Sequence, residues 1–151
     1  MSVNITLQHA CNVTDIPSSA QFQAWADSAN QNTTTEPALC IRLVGKDESA
    51  YLNLTFRQQD KSTNILSFHY ELPDPIHAVE PMLGDIILCP EVIIAEALEH
   101  GVDVMDHYAH LVIHGMLHLQ GYDHHSDTDS LIMQAKEIEL LARFNISNPY
   151  E

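Results

Sequence analysis

The chain has 151 residues, 45% hydrophobic and 18% charged, enough apolar material for one core and too much for disorder. Its 21 acids against 6 bases, a formal net charge of -15, exclude a protein that grips nucleic acid through a broad basic face. The same balance opposes adhesion to an anionic membrane surface, while leaving room for a small positive site such as a metal beside one arginine.

Three scattered cysteines, Cys11, Cys40 and Cys89, form no C-x-x-C pair, so reduced thiols in a cytoplasmic protein are expected. The first residues, MSVNITLQHACNVTD, lack the basic-then-apolar pattern of a signal peptide. No apolar run reaches the roughly 20 residues of a membrane span.

In chain order, Val3 to Gln8 alternates apolar and polar residues and predicts a strand. Pro17-Ser-Ser opens a helix from Ala20 to Ala29, with Phe22, Trp25, Ala26 and Ala29 on one face. Asn30 to Pro37 reads as a loop and Ala38 to Gly45 as a second strand. A short helix starts at Lys46-Asp-Glu-Ser, with Ser49 as its cap and Tyr51, Leu52 and Phe56 facing inward. After a polar loop (Gln58 to Thr63) comes a third strand, Ile65 to Tyr70. Glu71 to Leu83, with three prolines, is expected to be a surface loop, and Gly84 to Cys89 a fourth strand. The last third is helical. Pro90 opens a helix that Gly101 ends, Asp103 to Leu119 is longer, and Ser126-Asp-Thr-Asp caps a final helix to about Phe144, with Leu131, Ile138 and Leu141 inward. Strands early and helices late predict an α/β (α+β) fold. It is one domain spanning 1–151, with a small mixed sheet of about four strands packed by helices.

Histidine carries the chemistry. Six of the ten fall between His107 and His125. His114 and His118 are four apart, so a helix stacks them on one face. Gly121 lets the chain turn, and His124 comes back toward the same point. Three neutral imidazoles with an open fourth position is the pattern of a catalytic zinc site, here at the C-terminal end of a central helix. The order His114, His118, Gly121, His124 also matches the metzincin protease spacing, except that Gly115 replaces the Glu that activates water for peptide hydrolysis. His107 and His110 are expected to be solvated or to support a ligand. His9, His69, His77 and His100 read as ordinary polar positions.

The stretch HGMLHLQGYDH, His114 to His124, resembles the signature of the YbeY family of bacterial metal-dependent endoribonucleases. LNLTFRQQDKSTNILSF, Leu52 to Phe68, resembles a second block of that family, with Gln59 where Lys is usual and Ser62 where Pro is usual. Leu83 to Ile86 resembles a third. The resemblance covers about residues 38 to 140. It implies one zinc ion per chain held by His114, His118 and His124, with water or a substrate phosphate oxygen at the fourth position. It implies catalytic roles for His114 and Arg57, the latter a guanidinium fork on the scissile phosphate. Without the family, Arg57 reads first as half of a surface ion pair. Asp85 is a candidate to orient a ligand histidine or to support a strand end, and Asp123 a candidate for similar support. The implied function is cleavage of single-stranded RNA in 16S rRNA maturation and ribosome quality control. The implied partners are the small ribosomal subunit and an Era-type GTPase, with weak intrinsic RNA affinity expected from the charge. A non-catalytic ribosome-assembly factor with a structural metal, and a zinc hydrolase acting on another substrate, are the alternatives.

Overall fold

The computed structural model describes residues 2–31, 36–69 and 82–151. The expected Pro-rich loop lies outside these residues except for Met82 and Leu83, which are already strand, and His77 lies outside them too.

The described elements are β1 (Asn4–Ala10), α1 (Ser19–Ala29), β2 (Ala38–Val44), α2 (Lys46–Arg57), β3 (Ile65–His69), β4 (Met82–Leu88), α3 (Pro90–His100), α4 (Val104–Leu119) and α5 (Asp127–Ala142). The strands form one four-stranded sheet in the order β1-β2-β4-β3. β1, β2 and β4 run parallel, and β3 pairs antiparallel with β4 at the edge. This is the mixed α/β sheet expected; its strand order depends on which crossovers pack, which no local pattern encodes.

The helices begin where local chemistry says they should. Ser18 caps α1 in a reciprocal capping box with Gln21. Asp103 accepts the Met105 and Asp106 amides at the start of α4, and Ser126 accepts the Asp129 amide at the start of α5. α4 lies at the centre of the molecule, packed against α1, α3, α5, β3 and β4. Its Tyr108, Leu111, Val112, Ile113, Met116 and Leu117 are buried. Each such side chain contributes about 1.5–3 kcal/mol by leaving water, so the helix that carries the histidines is also the main element of the core.

Three expectations about facing fail, for identifiable reasons. Ser49 does not cap α2. Gly45 holds that position, and Ser49 sits buried inside the helix, bonding the backbone of Thr63 in both directions. Because the inward face of α2 carries Ser49 and Asn53, Tyr51 and Phe56 turn outward, 67% and 58% exposed; only Leu52 packs, on a small cluster with Val44, Leu66 and Ile87. Leu131 is 68% exposed, because the inward stripe of α5 is Met133, Glu137, Leu140 and Leu141.

Candidate active site

The histidine side of the site is built from the end of α4. Gly121, at φ 99, takes a backbone conformation that L side chains rarely adopt. The amides of Gly121 and Tyr122 bond back to the carbonyls of His118 and Leu117, closing the helix and sending the chain across its own end. Asp123 then accepts the backbone amides of His124 and His125, which fixes the turn that carries His124. The His124 ring lies 5.9 Å from that of His114 and 6.3 Å from that of His118, centroid to centroid.

Glu137 of α5 supports this trio from behind. It is fully buried and accepts from Nδ1 of His114 at 2.5 Å, while the Tyr150 hydroxyl donates to its other oxygen. His110 lies 3.6 Å from that same oxygen and 3.2 Å from the Tyr150 hydroxyl. Burial alone would raise the carboxyl pKa. The contacts from His110, His114 and Tyr150 outweigh it and lower the value to about 2. An ionised carboxylate only accepts, so Nδ1 of His114 donates to it and Nε2 is the ring nitrogen left for a ligand. His118 has its pKa lowered by burial first, then by the neighbouring His114 and His69 rings, with the backbone at Tyr122 opposing. The shift favours the neutral ring, the form that ligates a metal.

Among the described residues no group of three His, Cys, Asp or Glu side chains is gathered tightly enough to hold a metal ion as it stands. The donor chemistry, three imidazoles, fits zinc.

The arginine side is built differently. Arg57 ends α2, where Gln58 adopts the left-handed conformation and stops the helix. The loop that follows is tied to the helix by Asn53, which donates to the Lys61 carbonyl, and by Ser49 on Thr63. These ties brace the loop although Ser62 stands where the family pattern has proline. The described basic–acidic ion pairs use Arg42, Lys136 and Arg143, and none uses Arg57. Arg57, His114, His118 and His124 line one cleft of about 590 Å³, together with Asn64 and Ser67 of the β3 region.

Comparison with known proteins places the chain in a family. Residues 5–145 match the family model described as endoribonuclease YbeY. Proteins named endoribonuclease YbeY from Colwellia psychrerythraea and Pseudoalteromonas translucida are 48% and 42% identical. The first alignment covers 97% of this chain and 96% of the relative, and the second 99% and 97%. The chain belongs to the endoribonuclease YbeY family. The relative of that name from Nitrosomonas eutropha is 43% identical, with 97% of each chain covered. The solution structure of TM1509 from Thermotoga maritima matches with a TM-score of 0.59 over 97% of this chain and 99% of that one; at 24% identity the likeness is one of fold.

The family frame sharpens the reading of individual residues. Gly115, which stands where a metzincin has its Glu, is buried against the sheet. A Cβ there would lie 3.1 Å from the Cδ1 atoms of Ile65 and Ile86. No side chain from this position can reach the cleft, so the site has no base there. Among the described residues, Asp85 does not face His114, His118 or His124. It alternates with Ile86, which packs on α4, and so lies on the opposite face of the sheet, hydrogen-bonded to the Cys40 thiol. One residue read as ordinary proves to be at the site. His69 lies with its ring 5.8 Å from that of His118, because the alternation Ile65, Ser67, His69 turns all three toward α4. His110 joins the Glu137 network, as a supporting role requires, whereas His107 pairs with Glu96 at 3.0 Å. Glu137 and Tyr150 drew no notice in the sequence. The signal was available for Glu137, an acid on the inward stripe between Met133 and Leu140. For Tyr150, near the end of the chain, no local pattern announces the contact.

Proposed function

We propose that this chain is a metal-dependent endoribonuclease that cuts single-stranded RNA, with zinc held by His114, His118 and His124 and the scissile phosphate held by Arg57. The observation that carries the reading is the cleft Arg57 shares with the three histidines, with Arg57 in none of the described basic–acidic ion pairs. Family membership supports the same reaction class.

When bound, zinc supplies Lewis acidity toward a phosphoryl oxygen and acidifies water at its open position. The chain's own residues do the rest. Glu137 holds the proton on Nδ1 of His114, which fixes the ring and leaves Nε2 toward the cleft. Asp123 sets the turn that delivers His124. Arg57 binds two phosphate oxygens through its fork and offsets the charge that builds in the transition state. A zinc peptidase is disfavoured because Gly115 faces the sheet rather than the cleft.

With 6 basic residues in 151, affinity for free RNA is weak, and the substrate is presented by a partner. The partners we propose are the small ribosomal subunit carrying 16S rRNA and an Era-type GTPase, in the cytoplasm. Sub-micromolar binding of naked single-stranded RNA at physiological salt contradicts this part.

The test is cleavage of a labelled single-stranded RNA by chelator-treated and zinc-restored protein, with Arg57→Ala in parallel. Cleavage lost with chelator, restored by zinc and reduced about 10²- to 10³-fold in a variant of unchanged thermal stability bears the proposal out. A folded chain with one zinc bound that leaves both RNA and small subunits uncut reduces it to an assembly factor.

A further inference from the structure

The exposed aromatic on α2 has no role in the reading above, although Phe56 immediately precedes Arg57. Its ring is 58% exposed and lies 4.9 Å from that of Phe68, tilted by 59°. Phe68 belongs to the edge strand β3 and is itself half-buried against the smaller core cluster. Both residues line the cleft that holds Arg57 and the histidines, Phe68 from the edge strand whose ring side faces away from α4. Tyr51 and Leu54 are also exposed on α2 but do not line it.

We propose that Phe56, backed by Phe68, is a stacking platform for one base of single-stranded RNA, the base beside the phosphate that Arg57 holds. The proposal rests on the endoribonuclease reading and assigns the site its preference for single strands. A base inside a duplex has both faces covered by its neighbours, and only an unpaired base can exchange a neighbour for a protein ring. Charge leads to the same conclusion. With 21 acids against 6 bases, phosphate contacts cannot supply most of the affinity, and stacking needs no positive charge. Thr63, Asn64 and Ser67 line the same cleft and offer polar groups to a base edge.

The experiment measures kcat and KM for the zinc-loaded full chain on a short single-stranded RNA. A matched set of RNAs has one nucleotide at a time made abasic around the cut. Phe56→Ala, Phe56→Trp and Tyr51→Ala are compared after thermal melts show them folded. Phe56→Ala is expected to raise KM about tenfold with kcat within about twofold, and Phe56→Trp to restore it. Tyr51→Ala is expected to match the wild type. The wild type is expected to be penalised by one abasic position flanking the cut, and Phe56→Ala to be indifferent to it. An unchanged KM in Phe56→Ala, or an abasic penalty that persists in that variant, overturns the proposal. Arg57→Ala, run alongside, separates the two failures. Chelator-sensitive cleavage that depends on Arg57 but not on Phe56 overturns the stacking role alone. No cleavage by the wild type overturns the nuclease reading, and the stacking role with it.

Discussion

The two walls of the cleft are made in opposite ways. The histidine wall is an extension of the core: α4 is the most enveloped helix, and Glu137 behind it is fully buried. The arginine wall is a helix end, projected into solvent and held by two side chains that bond a loop backbone. A metal needs ligands whose geometry and protonation state are set before it arrives, and buried hydrogen bonds do that. A phosphate clamp needs a long cation that is free to meet its substrate. The difference predicts that damage to the histidine wall costs folding as well as chemistry, whereas damage to the arginine wall costs chemistry alone.

The sharpest way to break the comparison is Gly115→Glu, which restores the protease-like acid at the level of sequence. Overpacking against Ile65 and Ile86 together with a buried charge should cost more than about 4 kcal/mol, and the chain should fail to fold cooperatively by circular dichroism. A folded, stable variant would show that α4 is not pressed on the sheet as described. Next in size is Glu137→Ala, which leaves the Tyr150 hydroxyl and His114 Nδ1 without their acceptor. Chemical denaturation of metal-free protein should register a loss of about 3 kcal/mol. By contrast Arg57→Ala should leave that stability within about 0.5 kcal/mol. If both variants had equal stability, the contrast between the walls would not survive.

Asn53→Ala tests the arginine wall's bracing. Losing one bond to the Lys61 carbonyl should cost about 1 kcal/mol and loosen the loop after Arg57, visible as faster amide exchange over residues 59–63. Exchange unchanged there would mean that Ser49 alone holds the loop. The smallest effect is expected from His69→Ala. This histidine is exposed beside His118, so stability should move by less than about 0.5 kcal/mol while zinc affinity changes no more than a few fold, measured by chelator competition. A large loss of zinc would make His69 a ligand rather than a neighbour.

Much of this molecule was legible in the sequence. Phe22, Trp25, Ala26 and Ala29 were read as the buried face of α1 and are buried. Pro90 and Gly101 bracket α3, and Asp103 and Gly121 bracket α4, because caps and left-handed residues act within one turn. The spacing of His114, His118 and His124 around Gly121 forced the three rings toward one another. What misled was the facing of α2 and of Leu131 on α5. Hydrophobic periodicity assumes that apolar residues take the inward face, and on α2 the polar Ser49 and Asn53 take it to satisfy the loop backbone.

The sequence by itself determined where most elements start and stop, which helix is most apolar, and that His124 returns beside His114 and His118 at its end. Those properties rest on interactions within a few residues of one another. Only the tertiary structure decided that Arg57 shares a cleft with those imidazoles, that Glu137 and Tyr150 stand behind His114, that His69 sits beside His118, and that Asp85 turns away. Each of these joins residues far apart in the chain. Such contacts follow from strand order and from how α4 and α5 settle on the sheet, which no local pattern encodes.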